Sequence, residues 1–130
     1  MSREPDATLQ LTPDEMRRLG HAAMDLIIDH LEALPNLPAT QRSSRDALEE
    51  RLREPLPARG NDALTVLERV RGDVLGYIMH LDHPRFFGFT PSPSNFVSVV
   101  ADMLAAGFNV FAGTWLESSA AAELELVTLD

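Results

Sequence analysis

A mainly α-helical chain is what this sequence predicts, and three observations predict it. Apolar residues recur at intervals of three and four over residues 12–34 and again over 62–79. The same spacing returns after residue 95 and is still running at Leu129. Cap-competent residues and prolines punctuate these stretches where helices should start and stop. The organisation expected is an amino-terminal helical segment over 1–82, then loops and further helices over 83–130.

The first helix is the best marked. Thr12 suits the N-cap, Pro13 the first helical position where its missing donor is harmless, and Glu15 completes a capping box. Leu11 and Met16 are placed to form a hydrophobic staple. Met16, Leu19, Ala23, Leu26, Ile27, His30, Leu31 and Leu34 form one stripe, which needs a cover from the rest of the chain or from a second subunit. Pro35 and Pro38 end the helix. Residues 36–60 read as a connector with a short helix over Asp46–Arg53, stopped by Pro55, Pro57 and Gly60. A third helix is expected from about Asp62 to Met79, weakened by Gly72 and Gly76.

Beyond it, Phe86, Phe87 and Phe89 surround Gly88 and precede a turn-rich TPSPSN stretch. Two readings fit: a core strand entering a loop, or one wall of a pocket for a flat ligand, with Thr90 or Ser92 giving a hydrogen bond. Ser94 is a candidate cap for a helix over about Asn95–Ala106, with Phe96, Val99, Val100, Met103 and Leu104 facing inward and Asp102 as a lone acid among them. A second loop, GFNVFAGTW, has glycine freedom at Gly107 and Gly113, and Trp115 suits a core or interface anchor. Ser118 and Ser119 are cap-competent starts for a final helix, with Glu123 near its beginning. No stop signal follows. The expectation is that these 130 residues are the front piece of a longer protein.

Composition narrows the chemistry. The chain is 45% hydrophobic and 24% charged, an ordinary globular balance, and its net charge of −9 argues against a surface that tracks phosphates. Nucleic acid is not an expected partner. No secretory signal or membrane span is visible, and without cysteine there are no disulfides or thiolate ligands. His21 and His30 point in different directions on the first helix, and His80 and His83 lack a third ligand of obvious placement, so no metal site is expected. All 11 basic residues are arginine, and without a lysine no side chain here can form an imine with a carbonyl cofactor.

The segments HPRFFGFTPSPSNF and VADMLAAGFNVFAGTWLESSAAAELE resemble the amino-terminal portion of the pyridoxal-phosphate-dependent decarboxylases of the aromatic-L-amino-acid decarboxylase group. The helix at 12–34 is similar to that family's dimer-forming arm, while residues 36–60 match only in general character. The resemblance implies a helical arm plus the start of an α/β large domain, within a complete fold-type-I enzyme. It implies a cytoplasmic homodimer acting on a small-molecule amino acid, with pyridoxal 5'-phosphate held by a lysine outside these residues. Residues 1–82 would then be the dimerisation segment, and 83–130 would lead into the cofactor-binding domain.

No catalytic or cofactor-binding residue is carried over onto this chain. Phe89, Thr90, Pro91 and Ser92 correspond to a substrate-lining stretch, and Phe111 and Gly113 to a second pocket-lining loop that can approach the neighbouring subunit's site. Phe89 stands where the family commonly has tyrosine, so a hydroxyl is lost and a ring kept. Gly113 stands where aromatic-substrate members often carry phenylalanine, which implies more room. Two other outcomes remain open: an aldehyde-forming decarboxylase or deaminase of the same fold, and a non-catalytic helical dimerisation module.

Overall fold

The computed structural model describes residues 10–90 and 92–130. Helix α1 (Pro13–Ala33) begins as its sequence predicts. The Thr12 hydroxyl accepts from the Glu15 amide at 3.3 Å, and the Thr12 amide donates to the Glu15 carboxylate at 2.8 Å. The Thr12 hydroxyl also donates to that carboxylate at 2.6 Å, and this bond, then the one from the amide, holds the Glu15 carboxyl below its usual range. At the other end, Leu34–Asn36 tightens into a single 3₁₀ turn around Pro35. Leu34 is the sole buried hydrophobic side chain among the described residues, at 6% exposure.

Helix α2 (Arg45–Leu52) is capped by Ser44, one residue before the expected start. Asp62 caps helix α3 (Ala63–Arg69), accepting from the Thr65 amide at 3.1 Å. The helix expected through Met79 does not continue as one regular rod. It widens into a π turn at Val70–Val74, tightens into a 3₁₀ turn at Leu75–Tyr77, and gives way to extended backbone at Ile78. Gly72, at the centre of the wide turn, offers the least resistance to such a change. Asp73 in the same turn pairs with Arg51 of α2 at 3.1 Å and with Arg69 of α3 at 3.6 Å. That long-range pairing cannot be read from local apolar spacing.

The described residues up to Thr90 belong to one compact unit, in which α1 packs against α3 and α2 meets the π turn. An antiparallel bridge between Thr40 and Met79, with the His80 amide donating to Ala39 O at 3.0 Å, closes the intervening segment. Phe86–Phe89 follows as a series of turns and bends and not as a strand. The Phe86 amide bonds back to His83 O at 2.9 Å.

The second unit is Ser92–Asp130. Asn95, not Ser94, caps helix α4 (Phe96–Phe108), in a reciprocal box with Ser98. Helix α4 runs two residues past Ala106, because the left-handed position that stops it is Asn109 at φ 49° and Gly107 remains helical. Helix α5 (Trp115–Leu129) starts one turn before Ser118, capped by Thr114, and Glu117 supplies the acid of its first turn. Ser118 still interrupts it, with non-helical angles of φ −157° and ψ 72°. Of the stripe expected to face inward on α4, Phe96, Met103 and Leu104 are exposed within the described residues, and Val99 and Val100 are half-buried.

An alanine at residue 72 would meet nothing within 4 Å, and the backbone there is not left-handed. Gly72→Ala is therefore expected to raise the unfolding free energy by about 0.5–1 kcal/mol by narrowing the unfolded ensemble. Urea unfolding of the full-length protein measures this, with an unchanged slope and a higher midpoint as the expected result.

Candidate pocket walls and the buried histidines

The bridge at Thr40 and Met79 delivers the chain to two buried histidines, His80 and His83. The His80 ring lies against His30 of α1, with centroids 5.0 Å apart. His83 Nδ1 accepts from the Arg85 amide at 3.0 Å, while its Nε2 and the Nδ1 of His80 have no hydrogen-bond partner. Burial, then the neighbouring His30, pushes the His80 pKa down, with Asp82 opposing and His83 adding to the shift. No cluster among the described residues has the ligands for a metal ion. Sequence spacing gave no sign that His30 and His80, fifty residues apart, would touch. The sequence placed His30 on the apolar stripe of the first helix and His80 where a later helix gives way.

From His83 the chain turns through Phe86, whose ring reaches back over Gly88 and lies 6.3 Å from that of Phe89. Phe89 has a left-handed backbone at φ 57°, and the adjacent Gly88 does not. For a residue with a Cβ that conformation costs about 1–2 kcal/mol. The Phe89 side chain is 84% exposed, so core packing does not offset the cost. Thr90 follows on the surface, and Pro91 lies outside the described residues.

In the second unit Ser92 is exposed. Phe111 and Gly113 are brought together in the short loop between α4 and α5, whose ends are fixed by Asn109 and by the Thr114 cap. A Cβ placed on Gly113 would lie 2.3 Å from Phe111 Cζ. The room expected at Gly113 is therefore taken by the Phe111 ring, itself 57% exposed. Phe89 and Thr90 belong to the first unit, and Ser92, Phe111 and Gly113 to the second.

A family model described as the pyridoxal-dependent decarboxylase conserved domain matches residues 46–130. The chain belongs to the pyridoxal-dependent decarboxylase family. It is 43% identical over 122 residues to an aromatic-L-amino-acid decarboxylase of Bacillus atrophaeus, covering 94% of this chain and 25% of that protein. It is 32% identical over 123 residues to a phenylacetaldehyde synthase of Petunia hybrida, covering 95% of this chain and 24% of that one. The structure resembles that of Oryza sativa TDC with PLP and tryptamine at a TM-score of 0.84 and 29% identity, covering 95% of this chain and 25% of that chain. The chain spans about a quarter of the length of the curated relatives it matches.

This family's cofactor does not find its attachment here. Without lysine, the 130 residues offer no side-chain amine to bond the pyridoxal aldehyde. No described helix is long and apolar enough to cross a membrane.

His80 gives this unit a pH dependence. A His80 pKa below the ordinary value of about 6.5 means that the unfolded chain binds more protons than the folded one on the acid side. The contribution is complete above about pH 6.5 and is lost as pH falls through the folded-state value. Urea unfolding is expected to show stability falling from pH 7 to pH 5, with a shallower fall in His80→Phe. A variant with the same slope as the parent would contradict this.

Proposed function

We propose that these residues form part of a pyridoxal-phosphate-dependent decarboxylase that removes the carboxylate of an aromatic L-amino acid as carbon dioxide and leaves the amine. The observation that carries this reading is 43% identity to an aromatic-L-amino-acid decarboxylase along 94% of the chain. The exposed, strained Phe89 supports it, because a ring held at that cost suits contact with a flat side chain. In this reading the stretch Phe89, Thr90, Pro91 and Ser92 is substrate-lining, with the threonine and serine hydroxyls orienting polar substituents, and the loop of Phe111 and Gly113 is a second, separately assigned substrate-lining stretch. When bound, the cofactor supplies the electron sink for the bond that breaks.

The exposed apolar residues of α1, α4 and α5 are those expected at contacts with the remainder of the enzyme and with a second subunit. On the same family resemblance we assign the amino-terminal segment 1–82 to dimerisation, residues 83–130 to the beginning of the cofactor-binding domain, and the homodimer to the cytoplasm. A family match over residues 46–130 weighs against a free-standing helical adaptor.

The full-length enzyme is expected to release one carbon dioxide and one amine for each aromatic L-amino acid consumed. The 32% identity to a phenylacetaldehyde synthase favours one second reading, in which the product is an aldehyde. Mass spectrometry of the products separates the two, since aldehyde and ammonia in place of amine would overturn the first. Phe89→Gly should raise thermal stability by relieving the left-handed strain, yet lower kcat/KM for the aromatic substrate by about five- to tenfold through loss of the ring. Unchanged kcat/KM would remove Phe89 from the pocket.

A further inference from the structure

His83 collects the hydrogen bonds of the turn from which the aromatic loop departs. Its carbonyl accepts from the Phe86 amide at 2.9 Å, and its ring Nδ1 accepts from the Arg85 amide at 3.0 Å. Pro84 between them has no amide to place, and its fixed φ suits the second position of such a turn. Every backbone donor from Pro84 to Phe86 therefore ends on His83. A side-chain acceptor for the amide two residues on is what asparagine and aspartate provide in Asx turns, so the imidazole nitrogen stands in for their oxygen.

The ring has no other polar task among the described residues. It is 3% exposed, and its Nε2 has no hydrogen-bond partner. Because Nδ1 accepts, it carries no proton, and the neutral ring keeps its proton on Nε2. The turn is also tied to the rest of its unit. The His83 amide donates to His80 O at 3.2 Å, and the Arg85 guanidinium donates to Leu37 O at 3.4 Å. Beyond the turn, the Phe86 ring lies 6.3 Å from that of Phe89, whose exposed side chain has no burial of its own to hold it. The place of the Phe89 ring is thus inherited from the turn.

We propose that His83 is a positioning residue for the substrate, acting through Phe89: the lone pair of its Nδ1 fixes the turn, and the turn places the Phe89 ring. This rests on the reading of Phe89 as substrate-lining. A buried histidine that only filled volume would be replaced best by leucine. One that serves by its acceptor is replaced best by asparagine, which is smaller but offers an oxygen to the same amide.

The test uses the full-length, cofactor-loaded enzyme and two readouts. Hydrogen exchange is followed in a peptide covering Arg85 and Phe86, and kcat/KM is measured with whichever of L-phenylalanine, L-tyrosine and L-tryptophan turns over fastest. His83→Leu is expected to speed that exchange about fivefold and to lower kcat/KM about fivefold, the size of one side-chain to backbone hydrogen bond. His83→Asn should stay within about twofold of the parent in both. Exchange across α4 should be the same in all three proteins. In a Phe89→Gly background His83→Leu should lower kcat/KM no further, since the ring that the turn places is gone.

A His83→Asn protein as loose and as slow as His83→Leu would overturn the proposal, and so would a His83→Leu protein with the parent's exchange; neither result touches the pocket reading. Losses that multiply in the Phe89→Gly background would overturn it as well. If His83→Leu does not fold, His83→Asn still decides, because parent-like values support the acceptor role and fivefold losses refute it. Faster exchange in His83→Leu with unchanged kcat/KM would remove Phe89 from the pocket, and the proposal would fall with that reading.

Discussion

The first unit depends on a single closure of backbone, where Thr40 pairs with Met79 and the His80 amide donates to Ala39 O. Everything between those residues, including α2, α3 and the π turn, is a long loop whose ends must meet, an entropic cost that grows slowly with length but has to be met by specific contacts. The contacts stand beside the closure. His80 lies against His30 of α1, and Arg85 donates to Leu37 O at 3.4 Å across the same seam. From there the turns run without interruption through His83 to Phe86, so the base of the aromatic loop is set by the closure and not by a strand.

Leu34 is the one buried hydrophobic residue among those described, and apolar side chains such as Leu26 and Ile27 of α1 are half-buried. Exposed ion pairs contribute little each. The Asp73 pairs matter for another reason: they join α2 to α3 at the place where the helix changes its pitch. Apolar residues left open, among them Leu116, Val97 and Phe108, belong to faces that burial elsewhere would complete. The proposed enzyme gives those faces a use, and the two aromatic loops keep their shape through local backbone in the meantime.

Local signals were legible where chemistry acts over a turn of chain. Thr12, Pro13 and Glu15 specify the start of α1 through bonds made within three residues, and sequence alone placed them correctly. Ambiguity arose where several cap-competent residues stood together: Asn95 prevailed over Ser94, and Thr114 over Ser118, by position relative to the first helical amides. The widening at Val70–Val74 was hidden because it involves Arg51, far along the chain. At the candidate site the aromatic and glycine content of both loops could be read directly. The left-handed angle of Phe89 could not, since a residue with a Cβ gives no local signal for it. Nor could the folding of Phe111 over Gly113, because a spacing of two does not by itself say that a ring turns back.

The central proposal is that the stretch around Phe89 and, separately, the loop around Phe111 each contact an aromatic substrate. Photoaffinity labelling of the full-length enzyme with an aryl-azide analogue of 2-phenylethylamine, followed by peptide mapping, tests it most directly. The account predicts adducts on peptides containing residues 86–92 and 108–115, suppressed by excess unlabelled amine. Adducts that are suppressed by the same competitor but fall only outside both peptides would contradict it.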